Sequence, residues 1–207
     1  MPTRRACLAG LSGAAALILG APAARAEPLP LDVLSGYLGA LETVEGAFTQ
    51  INPDGSLSTG TLYIKRPGRI RFEYDPPMEA LVIAGGGQLA VFDPVSNQGV
   101  DRYPLAQTPL KILLDRDVDL AESGMVADLL DDGTTTTLRM QDPANPDIGT
   151  LDLVFTADPV RLRQWIVTDA TGAQTTVVFG DVTEGRRVPE RLFNIRAEMR
   201  SRGLEES

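Results

Sequence analysis

From Gly46 onward apolar and polar side chains alternate along much of the chain, and a period of two is the period of a strand. Segments near 46–52, 57–66, 69–75, 80–84, 88–92 and 98–104 read as strands. They are split by Asn52-Pro53-Asp54-Gly55, Pro67-Gly68, Gly85-Gly86-Gly87 and Asp93-Pro94. Strands resume near 124–130, 134–140, 149–156, 160–169 and 173–180, with turns at Asp132-Gly133 and Thr171-Gly172. Turns this short between successive strands predict antiparallel pairing. Along 69–75, Ile70, Phe72 and Tyr74 share one face while Arg69, Arg71, Glu73 and Asp75 share the other. Along 57–66, Leu62, Ile64 and Arg66 share a face, so an apolar row ends in a guanidinium.

Two stretches depart from that period. Pro30 precedes Leu31, Leu34, Leu38 and Leu41, whose spacing predicts an amphipathic helix over 31–43 with the proline in its first turn. Thr108-Pro109 followed by Leu110, Ile112, Leu113 and Leu114 predicts a short helix over 109–114, capped by the threonine. About eleven antiparallel strands must curl to hide their apolar face. The two helices have apolar faces and no partner except the mouth of that curl. The fold class is therefore mainly β: an unclosed antiparallel β-barrel with an α-helical lid. Aromatic residues are only 5% of the chain, which leaves few bulky groups to fill the inside. Ordinary close packing is the alternative to a cavity under the lid, and packing arguments alone favour it.

The ends and the charge narrow the function. Residues 1–26 combine Arg4 and Arg5, an apolar stretch from Ala6 to Ala23 and the small-residue site Ala24-Arg25-Ala26, the order of a secretory signal peptide. The segment Thr3-Arg4-Arg5-Ala6-Cys7-Leu8 faintly resembles a twin-arginine signal, so the export route stays open. Residues 27–207 would form a single domain. Removal of the signal takes three of the 19 basic residues, leaving 16 against 28 acids and a net charge of −12. Such a surface repels phosphate backbones, which argues against a nucleic-acid partner. The chain has no histidine, and its one cysteine, Cys7, lies in the signal. Disulfides, Cys/His metal sites, thiol nucleophiles and histidine-assisted serine mechanisms are thereby excluded from the mature chain. Asp115-x-Asp117-x-Asp119 opens like a calcium loop but lacks the following glycine and has Val126 where the last ligand belongs. Gly85-Gly86-Gly87 lacks the lysine of a phosphate loop. No enzyme activity, metal or cofactor is expected.

The residues resemble a family. Phe48-Thr49-Gln50, Gly60 to Pro67, Phe72-Glu73-Tyr74 with Pro77, Leu89 to Pro94 with Gln98, and Thr108-Pro109-Leu110 resemble the outer-membrane lipoprotein carrier family LolA. Leu151 to Phe155, Trp165-Ile166-Val167 with Asp169 and Gly172, and Val188-Pro189 with Leu192-Phe193 fit more loosely. Ala90 stands where family members often carry tryptophan, and the tail from Asn194 reads as helical or disordered rather than strand-bearing. The resemblance implies an unclosed barrel under a helical lid, monomeric and located in the periplasm. It would carry acylated lipoproteins from an inner-membrane ABC transporter of the LolCDE type to an outer-membrane acceptor such as LolB. Leu34, Leu38, Ile70, Phe72 and Leu110, with Leu62 and Ile64 as lesser candidates, are the expected acyl-chain lining; ordinary core is the alternative for each.

Arg66 shares its face with Leu62 and Ile64, and its five donors suit the exposed carbonyls at helix ends. The resemblance implies that it latches the lid. On sequence alone a solvated arginine beside a turn is the commoner outcome. A related half-barrel that senses lipid or binds glycolipid is the rival function, because an apolar cavity does not record its cargo.

Overall fold

The computed structural model describes residues 27–94, 99–116 and 118–204. The export-signal reading of residues 1–26 lies outside the described residues, as do Gln98 and Asp117. The chain begins with helix α1 (Leu31–Ala40), followed by the strands β1 (Thr43–Ile51), β2 (Leu57–Lys65), β3 (Arg69–Tyr74), β4 (Leu81–Gly85), β5 (Gln88–Phe92) and β6 (Val100–Pro104). A 3₁₀ turn (Leu105–Gln107) and helix α2 (Leu110–Leu114) lead to β7 (Val126–Asp131), β8 (Thr135–Gln141), β9 (Thr150–Ala157), β10 (Val160–Thr168) and β11 (Gln174–Glu184). A second 3₁₀ turn (Glu190–Phe193) and helix α3 (Ile195–Ser201) follow.

The strands form one antiparallel sheet of eleven, in the order β6-β5-β4-β3-β2-β1-β11-β10-β9-β8-β7. Two meanders are thus joined side by side through β1 and β11, with β6 and β7 as unpaired edges. The barrel is unclosed, and the connection from β6 to β7 carries α2. Cross-strand partners Leu62↔Phe72, Ile64↔Ile70 and Phe72↔Val82 set one apolar face inward. On that face Leu34 and Leu38 of α1 and Ile112, Leu113 and Leu114 of α2 bury in one cluster with Leu62, Ile64, Ile70, Leu138, Leu153, Phe155 and Trp165.

Local differences from the sequence expectations have physical causes. Helix α1 stops at Ala40, short of residue 43, because Thr43 is already paired with Lys65 across β1 and β2. Thr108 does not cap α2: its hydroxyl donates to the Leu105 carbonyl at 2.9 Å, and Pro109 occupies the cap position. Strand β11 runs on to Glu184 because β1 pairs with it as far as Val44, across a bulge between Gly46 and Phe48.

The outer face of the β3–β5 region is also covered. Leu81, Ile83, Ala90 and Phe92 pack against Ile195 and Met199 of α3 in a second apolar cluster. Arg71, only 8% exposed, lies beside it. It donates to Glu73 at 2.6 Å, to the Leu192 carbonyl at 3.0 Å and to Glu198 at 3.2 Å. The triple glycine of the β4–β5 turn serves two ends. Gly86 and Gly87 take φ of 60° and 80°, which the hairpin turn requires. A Cβ on Gly85 would lie 2.3 Å from the Phe193 carbonyl oxygen, so that residue lets the C-terminal segment pass.

Candidate functional site

Arg66 follows the last residue of β2 and enters the Pro67-Gly68 turn, which sits where both helices end. Its guanidinium donates to the carbonyls of Leu38 and Leu41 at the end of α1. It also donates to the Asp115 carbonyl just past α2, at 3.1 Å from Nε and 2.6 Å from Nη2. The amide of Gly68 donates to the Leu114 carbonyl at 2.8 Å. Helix ends leave such carbonyls without intrahelical partners, and a cation is favourable against the negative end of a helix. One side chain therefore joins two helices to a sheet turn. Burial lowers the guanidinium from its ordinary value, and the Asp115 carboxylate partly opposes that shift.

A cavity of about 820 Å³ opens between the inner faces of β3–β5 and β10–β11, with the start of α2 at its margin. Phe72, Val82, Leu89, Val91, Leu110, Ile148, Trp165, Val167 and Val177 supply its apolar wall. Gln50, Gln107, Thr108, Asp147, Asp169, Thr171 and Thr175 stand among its polar lining, and no lysine or arginine among the described residues does. The wall is braced by aromatic rings meeting edge-on. Phe72 lies 6.1 Å from Trp165, Phe48 lies 5.2 Å from Phe72, and Trp165 lies 5.1 Å from Phe179. Tyr74 donates to Gln50 Oε1 at 2.7 Å. Burial pushes its hydroxyl up to about 12 against the opposing effect of that bond, so it stays a neutral donor.

The site residues named from the sequence fall into three places. Phe72 and Leu110 line the cavity. Leu34, Leu38, Leu62, Ile64 and Ile70 are at most 2% exposed and pack together beneath α1, with the cavity beside them. Arg66 lies at the junction of the helix ends. Trp165, Tyr74, Val82, Leu89, Val91 and Val177 were not named. Their inward parity was readable, but a period of two marks a buried face without separating a packed wall from a cavity wall. A second depression of about 590 Å³, lined by Arg69, Arg102 and Arg196, lies on the outer face and takes no part in the apolar site.

Comparison with known proteins shows the family. Residues 39–196 match the family described as outer membrane lipoprotein carrier protein LolA. The chain belongs to the LolA family. An outer-membrane lipoprotein carrier protein of Pseudomonas aeruginosa is 30% identical over 191 residues, spanning 86% of this chain and 89% of that one. Its counterpart from Bordetella avium is 29% identical over 196 residues, spanning 89% and 91%. A solved LolA superfamily protein from Nitrosomonas europaea has a TM-score of 0.43 and 14% identity, covering 82% of this chain and 99% of that one. The LolA match contains Arg66 and the whole cavity wall, while Leu34 and Leu38 precede it and most of α3 follows it.

Proposed function

We propose that this LolA-family chain is a periplasmic chaperone that accepts lipoproteins released from the inner membrane, shields their acyl chains and delivers them to the outer membrane. The observation that carries the reading is the apolar cavity of about 820 Å³ beside a helical lid. That volume falls within the usual range for small-ligand sites. A bilayer holds an acyl chain by about 0.8 kcal/mol per methylene, so a chain of ~15 carbons represents roughly 12 kcal/mol. A carrier has to offer apolar surroundings of similar quality, and the presence of Phe72, Leu110 and Trp165 at the cavity supports that reading.

Arg66 is the lid latch in this reading. Hydrogen bonds from a charged donor contribute about 1.5–3 kcal/mol each, enough to bias a closed state without making it permanent. With the latch shut, Leu34, Leu38, Leu62, Ile64 and Ile70 fill their own space. Lifting α1 would open that packed cluster onto the cavity, so the seven apolar residues would form one lining for acyl chains. The donor would be an ABC transporter of the LolCDE type, and the acceptor an outer-membrane protein such as LolB. No catalytic step or cofactor enters this cycle.

The deciding experiment incubates the protein with acylated lipoprotein in membranes that hold the transporter and ATP. A soluble one-to-one complex is the expected result. Lipoprotein that stays in the membrane, while a known carrier releases it from the same preparation, would favour the lipid-sensing reading instead.

A further inference from the structure

We propose that the outer face of the sheet holds a docking pocket for an acidic peptide segment of a partner protein, with Arg102 as its principal contact. The pocket has a volume of about 590 Å³ and is lined by Arg69, Gly85, Gly86, Gln88, Arg102, Glu190 and residues 193–196. Among the described residues Arg69, Arg102 and Arg196 stand there with Glu190, in a chain whose net charge is −9; Arg69 is paired with that glutamate and Arg196 has a partner of its own, so the unspent charge is that of Arg102. Strand parity fixes the face. Gln88 and Arg102 lie on the side of Ala90 and Phe92, while Leu89 and Val91 point the other way, into the apolar cavity.

The arginines differ in availability. Arg69 donates to the Lys65 and Pro67 carbonyls at 3.2 and 3.3 Å and pairs with Glu190. Arg102 is exposed, and its side chain makes no hydrogen bond or ion pair among the described residues. A guanidinium with its fork unused matches a carboxylate in two-point geometry. The acidic remainder of the molecule disfavours a flat anionic bilayer as the occupant, since within a Debye length of ~10 Å its repulsion acts on the whole surface. A peptide segment meets only the Arg102 guanidinium and the lining around it. Docking on this face would leave the apolar mouth free, so a partner could hold the protein while cargo passes on the opposite side.

The test measures binding of a fluorescein-labelled hexaglutamate peptide to the purified protein by anisotropy. Parallel arms use inorganic phosphate and vesicles of phosphatidylcholine with phosphatidylglycerol. Saturable one-to-one peptide binding is expected. Arg102→Ala should weaken it by about tenfold or more, the loss of one charged two-point contact. Arg102→Lys should restore part of it, and Arg163→Ala, at an exposed position of β10, should leave it unchanged. Uptake of a fluorescent acyl probe should not respond to Arg102→Ala, which separates this inference from the cargo reading. Absence of saturable peptide binding, indifference to Arg102→Ala, phosphate binding as tight as the peptide, or vesicle binding in place of peptide binding would each overturn it.

Discussion

Arg66 hydrogen-bonds main-chain carbonyls of two helices, with the Asp115 carboxylate acting on it only through charge, so its removal chiefly costs connections. Arg66→Leu deletes these bonds and leaves the carbonyls of Leu41 and Asp115 to water or to nothing, and that of Leu38 with the Leu41 amide alone, at 3.3 Å. The sheet does not depend on them, so the variant should still fold, with the strand signal of its circular dichroism spectrum unchanged. Amide exchange in residues 34–41 and 110–114 should quicken by the equivalent of about 2–4 kcal/mol of lost local stability. Delivery of cargo to a purified acceptor should fail; delivery at wild-type rates would sink the latch. The arginine was legible as an oddity, a cation ending the apolar row Leu62, Ile64. Its partners were not legible, because they are carbonyls whose position depends on where α1 and α2 stop.

Among elements, the strands were the most readable because alternation and turn residues act locally. All eleven predicted segments overlap an observed strand. What sequence could not supply was cover from afar. Strand β4 reads Leu81-Val82-Ile83-Ala84-Gly85 because both of its faces are buried, one by the inner cluster and one by α3. Ion pairs surround that outer contact: Glu198 takes Arg71 and Arg202, while Glu190 takes Lys65 and Arg69. Met199, 3% exposed, is the apolar contact to break. Burying an unpaired carboxylate costs several kcal/mol, so Met199→Asp should detach α3 rather than be accommodated. Exposed Leu81, Ile83 and Phe92 should then raise dye binding and light scattering, while acyl-probe uptake persists. Loss of that uptake would show that α3 also supports the inner face.

Helix α2 has an electrostatic tether of its own. The Asp142 carboxylate, on a residue 4% exposed, accepts from Lys111 at 2.8 Å, from Asn145 at 3.1 Å and from the Ala144 amide at 2.9 Å. The Lys111 bond first, then the other two, hold its carboxyl down at about 2, against an ordinary value of 3.8. The folded value lies below the unfolded one, so the stabilisation is complete above roughly pH 4 and is lost as pH falls toward 2. Asp142→Asn should therefore lower the melting temperature at pH 7, and the deficit should shrink between pH 4 and 2. A deficit independent of pH would make the residue a packing element and not a charged tether.

At the scale of the whole molecule, the structure contains both a closed core and an open cavity, and seven leucine, isoleucine and phenylalanine positions named from sequence divide between them. Alternation along strands could not predict that division, since it depends on how far a lid descends onto a curled sheet. If lifting α1 merges the two, Leu38 is core in the empty protein and lining in the loaded one. Leu38→Ala should then cost the empty protein about 2–4 kcal/mol, the usual range for truncating a buried leucine. The loaded protein should lose less, because a flexible acyl chain can fill the vacated volume. The lid equilibrium therefore moves toward open, so acyl-chain affinity should rise while hand-over to an acceptor slows, in the same direction as Arg66→Leu but through packing. The chain's single tryptophan, Trp165, is 1% exposed and lines the cavity, which gives a direct readout. Titration with a brominated acyl chain should quench it at lower concentration in Leu38→Ala than in the wild type. Equal quenching curves, with the stability loss present, would confine Leu38 to the core and leave the cavity wall as the only acyl-chain lining.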